Sequence, residues 1–101
     1  MTLYAFHCLD TDGSEEIRTR LLAEHLAHVE AHIDRYAVAG PLKQGEATVG
    51  SLLVIKGESE AEAREVFEAD PYFVAGVWRS VDANEFRGVA GDWVGGAAWK
   101  K

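Results

Sequence analysis

Cysteine is nearly absent from this chain of 101 residues, since Cys8 is the single example, and an intrachain disulfide is therefore excluded. Basic residues are also few. Ten Lys and Arg stand against 17 Asp and Glu, which gives a formal net charge of −7, and the one adjacent basic pair is Lys100-Lys101. This charge balance argues against a nucleic-acid surface, so we expect small molecules or other proteins as partners and no nucleic acid.

Long hydrophobic runs are missing as well. No apolar stretch approaches the roughly 20 residues that cross a bilayer, and no charged and then apolar leader precedes the first predicted strand. We therefore expect no membrane association and a cytoplasmic location. The chain also lacks internal repeats, and its length is that of one domain, large enough to fold alone but small enough to gain from association.

Four segments of the sequence are predicted strands. Residues 3–9 and 52–55 are apolar at consecutive positions, which predicts a sheet that is covered on both faces. Two more strands are predicted over residues 36–39 and 77–86, and the two helices described below give the order β-α-β-β-α-β, which is typical of a ferredoxin-like α+β fold. Because two helices shield one face only, we expect the second face to pack on the same face of another copy. The result is a homodimer with the architecture of a dimeric α/β barrel.

The first predicted helix spans residues 14–35, with Ser14 as its N-cap. Two neighbouring rows of side chains follow the helical repeat of three and four residues. The row that we predict to face the core consists of Leu22, Leu26, Val29 and Ile33. The adjacent row, which we predict to line the border between core and solvent, consists of Leu21, His25, His28 and His32. Imidazoles at such a border suggest the wall of a cleft.

His25 is the most informative of these histidines, since leucines flank it near the middle of the helix. A partly desolvated imidazole next to a buried carboxylate supports general acid–base chemistry. Spacings of three and four residues could also bring imidazoles onto a zinc ion. No His-Glu-x-x-His motif and no second cysteine accompany them, so we predict no metal site and interpret His28 and His32 as partly exposed helix residues.

The second predicted helix begins at Ser59, an N-cap with Glu62 three residues on, and ends where Pro71 stops it. Asp70 falls on the apolar face of this helix, so we predict that it is at least partly buried. A carboxylate in the last turn is disfavoured by the helix dipole by roughly 0.3–1 kcal/mol, and a cationic or hydrogen-bonding partner would offset this cost. His25, 45 residues earlier, is the candidate partner. In the alternative interpretation, Asp70 and Pro71 merely form a turn in which the carboxylate bonds local backbone.

Several short motifs follow one another along the chain. They are Tyr4 and Asp10 around the first strand, His25-Leu26-Ala27, Ala39-Gly40-Pro41, Gly50-Ser51, Asp70-Pro71-Tyr72 and Ala75-Gly76-Val77. Together they resemble the YCII (YciI-like) family of small bacterial proteins from the first strand to Phe86. The resemblance implies a ferredoxin-like fold that dimerises through its sheets and a His-Asp active site at His25 and Asp70. The chain is also similar to the wider dimeric α/β barrel group, which includes muconolactone isomerases, monooxygenases without cofactors and a YCII-type dehydrochlorinase of a chlorinated hydroxyquinol.

The glycine-rich end of the chain lies beyond this resemblance. We therefore divide the sequence into a YCII-like domain over residues 1–87 and an extension over residues 88–101. Trp93 and Trp99 lie in the extension, on either side of Gly95-Gly96. The extension is either a flexible tail or a segment whose aromatic side chains cover the partner subunit or close over a cleft.

The hypothesis that these observations favour is a small cofactor-free enzyme. In it, His25 moves a proton on a cyclic or aromatic small molecule while Asp70 orients the imidazole, which suits lyase (dehydrochlorinase) or isomerase chemistry. Ser51, Tyr72 and Asp10 are the candidate substrate-binding residues. The alternative is a non-catalytic module that binds a small ligand or a protein in the same cleft and keeps the His-Asp pair as a structural contact.

Overall fold

A computed structural model describes residues 1–100 of the chain. Its main body consists of β1 (Thr2–Asp10), α1 (Ser14–Ala31), a short 3-10 helix (Ile33–Arg35), β2 (Tyr36–Gln44), β3 (Ala47–Gly57), α2 (Glu60–Glu68), α3 (Pro71–Val74) and β4 (Trp78–Phe86). The four strands form one antiparallel sheet in the order β2-β3-β1-β4. The predicted ferredoxin-like α+β fold is confirmed, with α3 as a short addition before β4. None of the helices within residues 1–100 has the length and apolar character needed to cross a membrane.

One face of the sheet packs on the helices and holds the core. Phe6 and Cys8 of the central strand β1 point to this face and are fully buried, as is Ile55 on the neighbouring strand β3. From α2, Ala63 and Phe67 cover them, and the ring of Phe67 stacks on Phe6 with 4.5 Å between the centroids. Removal of these apolar groups from water is the main term that stabilises the fold.

The opposite face of the sheet, which we call the open face, carries no helix in the described part of the chain. Because side chains alternate across a strand, this face is formed by the residues between those of the core. Its apolar members are Leu3, Ala5, Leu9, Val38, Leu42, Leu52, Val54 and Phe86. Val38 is 38% exposed and Phe86 is 47% exposed. An apolar face of this extent is typical of a surface that packs on another protein.

Helix α1 ends earlier than predicted, at Ala31, and its N-cap is Gly13 rather than Ser14. Gly13 has φ 78°, a left-handed conformation that glycine adopts at low cost. Ser14 is the first helical residue, and its hydroxyl donates to Oδ2 of Asp10 at 2.8 Å instead of accepting from backbone. The turn between β1 and α1 is therefore fixed to the carboxylate of Asp10.

The predicted core row of α1 is wrong except at Val29, which packs against the core. Leu22 is 49% exposed, Leu26 is 50% exposed and Ile33 is 62% exposed. The neighbouring row faces inward instead, since Leu21 packs against the core and the His25 side chain is only 18% exposed. Polar contacts of the histidines decide this orientation, because they give the imidazoles hydrogen-bonding partners inside the fold.

Asp70 does not lie in the last turn of a helix, which corrects the predicted conflict with the helix dipole. The predicted N-cap of α2 is confirmed, since Ser59 Oγ accepts from the backbone N–H of Glu62 at 3.2 Å, but α2 ends at Glu68. Asp70 is the N-cap of α3, and its Oδ1 accepts from the backbone N–H of Tyr72 at 2.8 Å. Pro71 begins this helix at a position where the missing N–H leaves no hydrogen bond unmade. The predicted burial of Asp70 is confirmed, because it is 0% exposed.

Residues 88–100, which we call the arm, form a small folded unit beyond β4. Two short strands, β5 (Ala90–Gly91) and β6 (Gly96–Ala97), pair with each other, and the backbone N–H of Ala98 donates to the carbonyl of Val89 at 2.8 Å. The arm is thus ordered by its own hydrogen bonds. Lys101, the last residue of the predicted extension, lies outside the described residues, and the division of the chain at residue 87 stays a prediction.

Candidate functional site

The fold joins His25 and Asp70 from separate helices. Nδ1 of His25 lies 2.9 Å from each carboxylate oxygen of Asp70. The carboxylate is fully buried, whereas the imidazole is 18% exposed and lines a cavity of about 280 Å³. Local structure holds both partners, since α1 carries the histidine and the cap of α3 fixes the aspartate.

The partners of Asp70 determine the tautomer of His25. Oδ1 of Asp70 already accepts from the backbone N–H of Tyr72, so the carboxylate acts as an acceptor in this cluster. Nδ1 of His25 therefore carries the hydrogen that it donates to Asp70, and in the neutral ring Nε2 keeps its lone pair. The ring of Tyr72 lies parallel to the imidazole, with 3.9 Å between the centroids and an angle of 5°. This stacking prevents rotation of the imidazole out of the Asp70 contact.

Arg18 is a site residue that the sequence reasoning missed. Its guanidinium binds the carboxylate of Asp10 through two hydrogen bonds of 2.8 Å and donates to Ser51 Oγ at 2.9 Å. It also lies 5.3 Å from the centroid of the Tyr72 ring, which allows a cation–π contact. The signal in the sequence is the spacing, because residues 18 and 25 are two helical turns apart and share a face of α1.

Ser51 points its hydroxyl into the same network and is 6% exposed. Its oxygen accepts from Arg18 and also from Nε1 of Trp78 at 3.3 Å. A hydroxyl has two acceptor sites and one hydrogen to donate, so both acceptor sites are filled and the hydrogen is free for a third partner. Because Ser51 lines the cavity, a bound oxygen atom is the natural acceptor.

The rest of the cavity wall is apolar. It is formed by Leu22, Leu26 and Val29 of α1 and by Ala39, Gly40, Pro41 and Leu53 of the strands. The exposed leucine row of α1 is therefore one wall of the cleft, and the histidine row contributes His25 alone to it. Of the predicted substrate-binding residues, Ser51 and Tyr72 line this cavity, whereas Asp10 lies behind Arg18 and orients its guanidinium.

The phenol and thiol groups near the site stay protonated. Burial is the main cause that raises the pKa of Tyr72, whose hydroxyl donates to the backbone carbonyl of Arg18 at 3.0 Å. Burial also raises the pKa of Cys8 to about 12, with the charge of Asp10 as the next cause. A buried thiol of this kind is a small core residue and not a nucleophile. Burial and the charge of Asp70 raise the pKa of Tyr36, and its hydroxyl has no hydrogen-bonding partner among the described residues.

His28 of α1 and His32, the C-cap of that helix, make structural contacts. His28 Nε2 lies 2.9 Å from the carbonyl oxygen of Val66, and His32 Nδ1 lies 2.8 Å from the carbonyl oxygen of His28. Within residues 1–100, no group of three or more His, Cys, Asp or Glu side chains is arranged to hold a metal ion.

The structure combines a four-stranded sheet that has helices on one face with a His-Asp contact at a cavity between α1 and the sheet. These features define a class of small α+β proteins of ferredoxin-like topology. The particular family follows from the sequence. The model of the YCII-related domain matches residues 2–87, so the chain belongs to the YCII family. No curated protein matches the chain.

Two solved structures are similar to this one. The 5-chloro-2-hydroxyhydroquinone dehydrochlorinase (TftG) from Burkholderia phenoliruptrix AC1100, in complex with 2,5-dihydroxybenzoquinone, is 28% identical with a TM-score of 0.76. The match covers 89% of this chain and 96% of that chain. The protein At3g17210 from Arabidopsis thaliana is more distant, at 15% identity and a TM-score of 0.49, over 89% of this chain and 97% of that chain.

Proposed function

We propose that this protein is a homodimeric enzyme that uses His25 and Asp70 for general acid–base chemistry on a small hydroxylated ring, as a lyase of the dehydrochlorinase type or an isomerase. It needs no bound cofactor for this chemistry. The single observation that carries the proposal is the hydrogen bond from His25 to the fully buried Asp70 at the wall of a cavity. A buried acceptor on Nδ1 directs the lone pair of Nε2 to the substrate and stabilises the imidazolium that forms when Nε2 takes a proton.

Dehydrochlorination of a hydroxylated, chlorinated ring suits one group that serves as base and then as acid. A hydroxyl O–H bond breaks, its proton passes to Nε2 of His25, and its electron pair forms a C=O bond. The imidazolium then returns the proton to the ring carbon that bears chlorine. His25, neutral again, takes the proton of a second hydroxyl, whose O–H electron pair forms a second C=O bond, and chloride leaves with the C–Cl electron pair. The net loss is one HCl once His25 releases that proton. An isomerase would use the same two proton transfers without the leaving group.

The composition of the cavity agrees with such a substrate. A volume of about 280 Å³ is at the small end of ligand sites, which suits a single ring. Leu22 and Leu26 offer apolar contact to the ring, while Ser51 has a hydroxyl hydrogen to donate to a ring oxygen. Arg18 holds a positive charge beside them, which would stabilise the negative charge that develops on that oxygen.

The similar solved structure supports this substrate class. That protein is named as a dehydrochlorinase of a chlorinated hydroxyhydroquinone, and its complex holds 2,5-dihydroxybenzoquinone. At 28% identity over almost the whole of both chains, the two proteins share more than a general architecture. We therefore choose 5-chloro-2-hydroxyhydroquinone as the first substrate to test.

The open face of the sheet supports the homodimer. It presents apolar side chains from all four strands, including Val38 and Phe86, with no helix of residues 1–100 over them. Two such faces packed on each other would bury these side chains and form the barrel that the strand pattern predicts. Size-exclusion chromatography with light scattering measures the mass, and a stable monomer at micromolar concentration would contradict this part of the proposal.

A binding module without catalysis is the second candidate. Asp70 caps α3 and His25 stacks on Tyr72, so the pair contributes to the fold whether or not a reaction occurs. In this case 2,5-dihydroxybenzoquinone would bind in the cavity, and no substrate would be turned over.

Release of chloride from 5-chloro-2-hydroxyhydroquinone, followed with an ion-selective electrode, tests the enzyme. We expect His25→Asn to abolish release while the chain stays folded. His32→Asn is the matched control, because His32 lies at the C-terminal cap of α1, outside the cavity lining, and its imidazole bonds only the backbone carbonyl of His28. Release that survives His25→Asn would overturn the proposed mechanism. Binding of the quinone without chloride release from the native protein would favour the binding module.

A further inference from the structure

The arm exposes two large aromatic side chains although it is folded. Trp93 is 86% exposed and Trp99 is 68% exposed. The arm is closely packed at Gly88. A Cβ atom added to this glycine would lie 2.7 Å from Cγ1 of Val94, which is too close for a side chain. Such packing is not expected in a flexible tail. An ordered segment with unburied indoles is typical of a surface that contacts a partner.

The arm is tied together by local hydrogen bonds. Its backbone hydrogen bonds join its own residues, such as Gly95 to Asp92 and Ala98 to Val89. None of the backbone hydrogen bonds within residues 1–100 joins the arm to the four-stranded sheet. Backbone pairing with the sheet of the same chain therefore does not fix the position of the arm.

The cavity, in turn, has an uncovered mouth. Leu22 and Leu26 form one wall and are about half exposed, and Ala39 and Pro41 of the edge strand β2 form the opposite wall. The arm begins at the end of β4, the other edge of the sheet. Three strand spacings of about 4.8 Å place the two edges roughly 14 Å apart. The arm of a chain therefore starts at the edge of the sheet opposite the cavity of that chain.

We propose that the arm of each protomer packs across the edge strand β2 of a second copy of this chain and covers the mouth of that copy's cavity. The inference rests on the homodimer proposed above. In a face-to-face pair whose two-fold axis runs along the strands, the β4 edge of one sheet lies opposite the β2 edge of the other. Each arm then starts beside the cavity of the partner subunit.

The continuity of the apolar surface indicates which protein the arm contacts, namely a second copy of this chain. Phe86 ends β4 on the open face, and its ring reaches Gly88, the first residue of the arm and the one against which Val94 packs. Exposed apolar surface thus continues from the end of β4 onto the arm. A single partner that covers the open face also meets the arm, and only a copy of this chain offers the matching sheet.

This arrangement completes the site with aromatic side chains. An indole over the cavity would stack on a bound ring and exclude water from the His25–Asp70 pair, which strengthens the electrostatic contacts inside. Trp93 and Trp99 would then belong to the site of the partner subunit.

Reactivity of a thiol introduced at the cavity mouth tests the proposal without a ligand. In Leu26→Cys, maleimide labels the new thiol, while the buried native Cys8 stays unreactive and serves as internal control. A closed arm that opens for about 10% of the time or less slows labelling about tenfold or more. We expect this protection in the native-arm dimer and its loss when Trp93→Ala and Trp99→Ala are added.

Mixed dimers, isolated by co-expression with two affinity tags, show which arm protects which cavity. When the thiol lies on the subunit with the altered arm and the partner has the native arm, labelling should stay slow. When the two changes are placed on opposite subunits, labelling should be fast. Equal rates with both arms, or protection that follows the arm of the thiol-bearing subunit, would overturn this inference. Light scattering separates the two proposals, because a monomer contradicts the homodimer, whereas a dimer with an unprotected thiol contradicts the arm contact alone.

Discussion

Replacement of Asp70 by Asn changes one atom of the site and reverses the hydrogen bond to His25. The amide oxygen can still accept from the backbone N–H of Tyr72, as Oδ1 does at 2.8 Å. The amide nitrogen then occupies the position of Oδ2 and donates. Nδ1 of His25 lies 2.9 Å from both positions, so a hydrogen on Nδ1 would meet the N–H of the new amide. The tautomer with the hydrogen on Nε2 is therefore favoured, and in that tautomer the lone pair that takes the proton of the substrate is lost.

The stability cost of this change should be small. A hydrogen bond to a charged group contributes about 1.5–3 kcal/mol and a neutral one about 0.5–1.5 kcal/mol, so Asp70→Asn should lower the free energy of unfolding by about 1–1.5 kcal/mol. Asp70→Ala is the contrasting variant. It leaves both His25 Nδ1–H and the Tyr72 N–H without an acceptor in a site where the carboxylate is 0% exposed, and about 3–5 kcal/mol is typical for loss of one member of a buried pair.

Urea denaturation measures these costs, and long-range ¹H–¹⁵N NMR spectra report the tautomer of His25 directly. We expect the Nδ1–H form in the native protein and the Nε2–H form in Asp70→Asn. A native protein with the hydrogen on Nε2 would refute the assignment of roles to the two nitrogens. Equal stability losses in the Asn and Ala variants would refute the claim that Asp70 also caps α3.

Two further predictions follow from raised pKa values. Because burial raises the pKa of Cys8 to about 12, iodoacetamide at about pH 8 should leave the folded protein unmodified and label it once urea unfolds it; stoichiometric labelling of the folded chain would contradict the burial. Because burial also raises the pKa of Tyr36, the unfolded chain releases this proton first, so the contribution of Tyr36 to stability should be constant below about pH 10 and fall by about 1.4 kcal/mol per pH unit above it, in addition to the decrease that Cys8 causes from about pH 9. Tyr36→Phe removes an unpartnered hydroxyl, and we expect a gain of about 1 kcal/mol in urea denaturation and a shallower alkaline decrease, whereas a loss of stability would reveal a partner for that hydroxyl.

Features fixed by local chemistry could be predicted from the sequence. The order of strands and helices follows from apolar runs and turn residues, and the cap of α2 follows from Ser59 and Glu62. The contact between His25 and Asp70 was predicted from the burial of an acid that needs a partner. Its stated reason was wrong, because Asp70 caps α3 instead of ending α2. A short helix that begins at Pro71 is invisible to periodicity, since four residues hold barely one turn.

Features that depend on tertiary contacts could not be predicted in this way. Arg18 carries no local signal of function, because a basic residue on a helix is most simply a solvated one. Its role appears only when the fold brings Asp10 from β1 and Ser51 from β3 to the same point. The seven-residue spacing from His25 places Arg18 on the same face, but it cannot indicate that side chains of two strands meet there.

The orientation of α1 shows the limit of hydrophobic periodicity as a predictor of which helix face meets the core. The leucine row does not reach the core of the chain, because Leu22 and Leu26 line the cavity instead. The inward positions are occupied by His25 and His28, whose hydrogen bonds to Asp70 and to the carbonyl of Val66 offset the cost of burying imidazoles. The leucines are thereby left at the mouth of the cavity, about half exposed, in a chain whose sheet also leaves one apolar face open. The proposed second copy, packed on the sheet with its arm over the leucines, would cover both exposed surfaces.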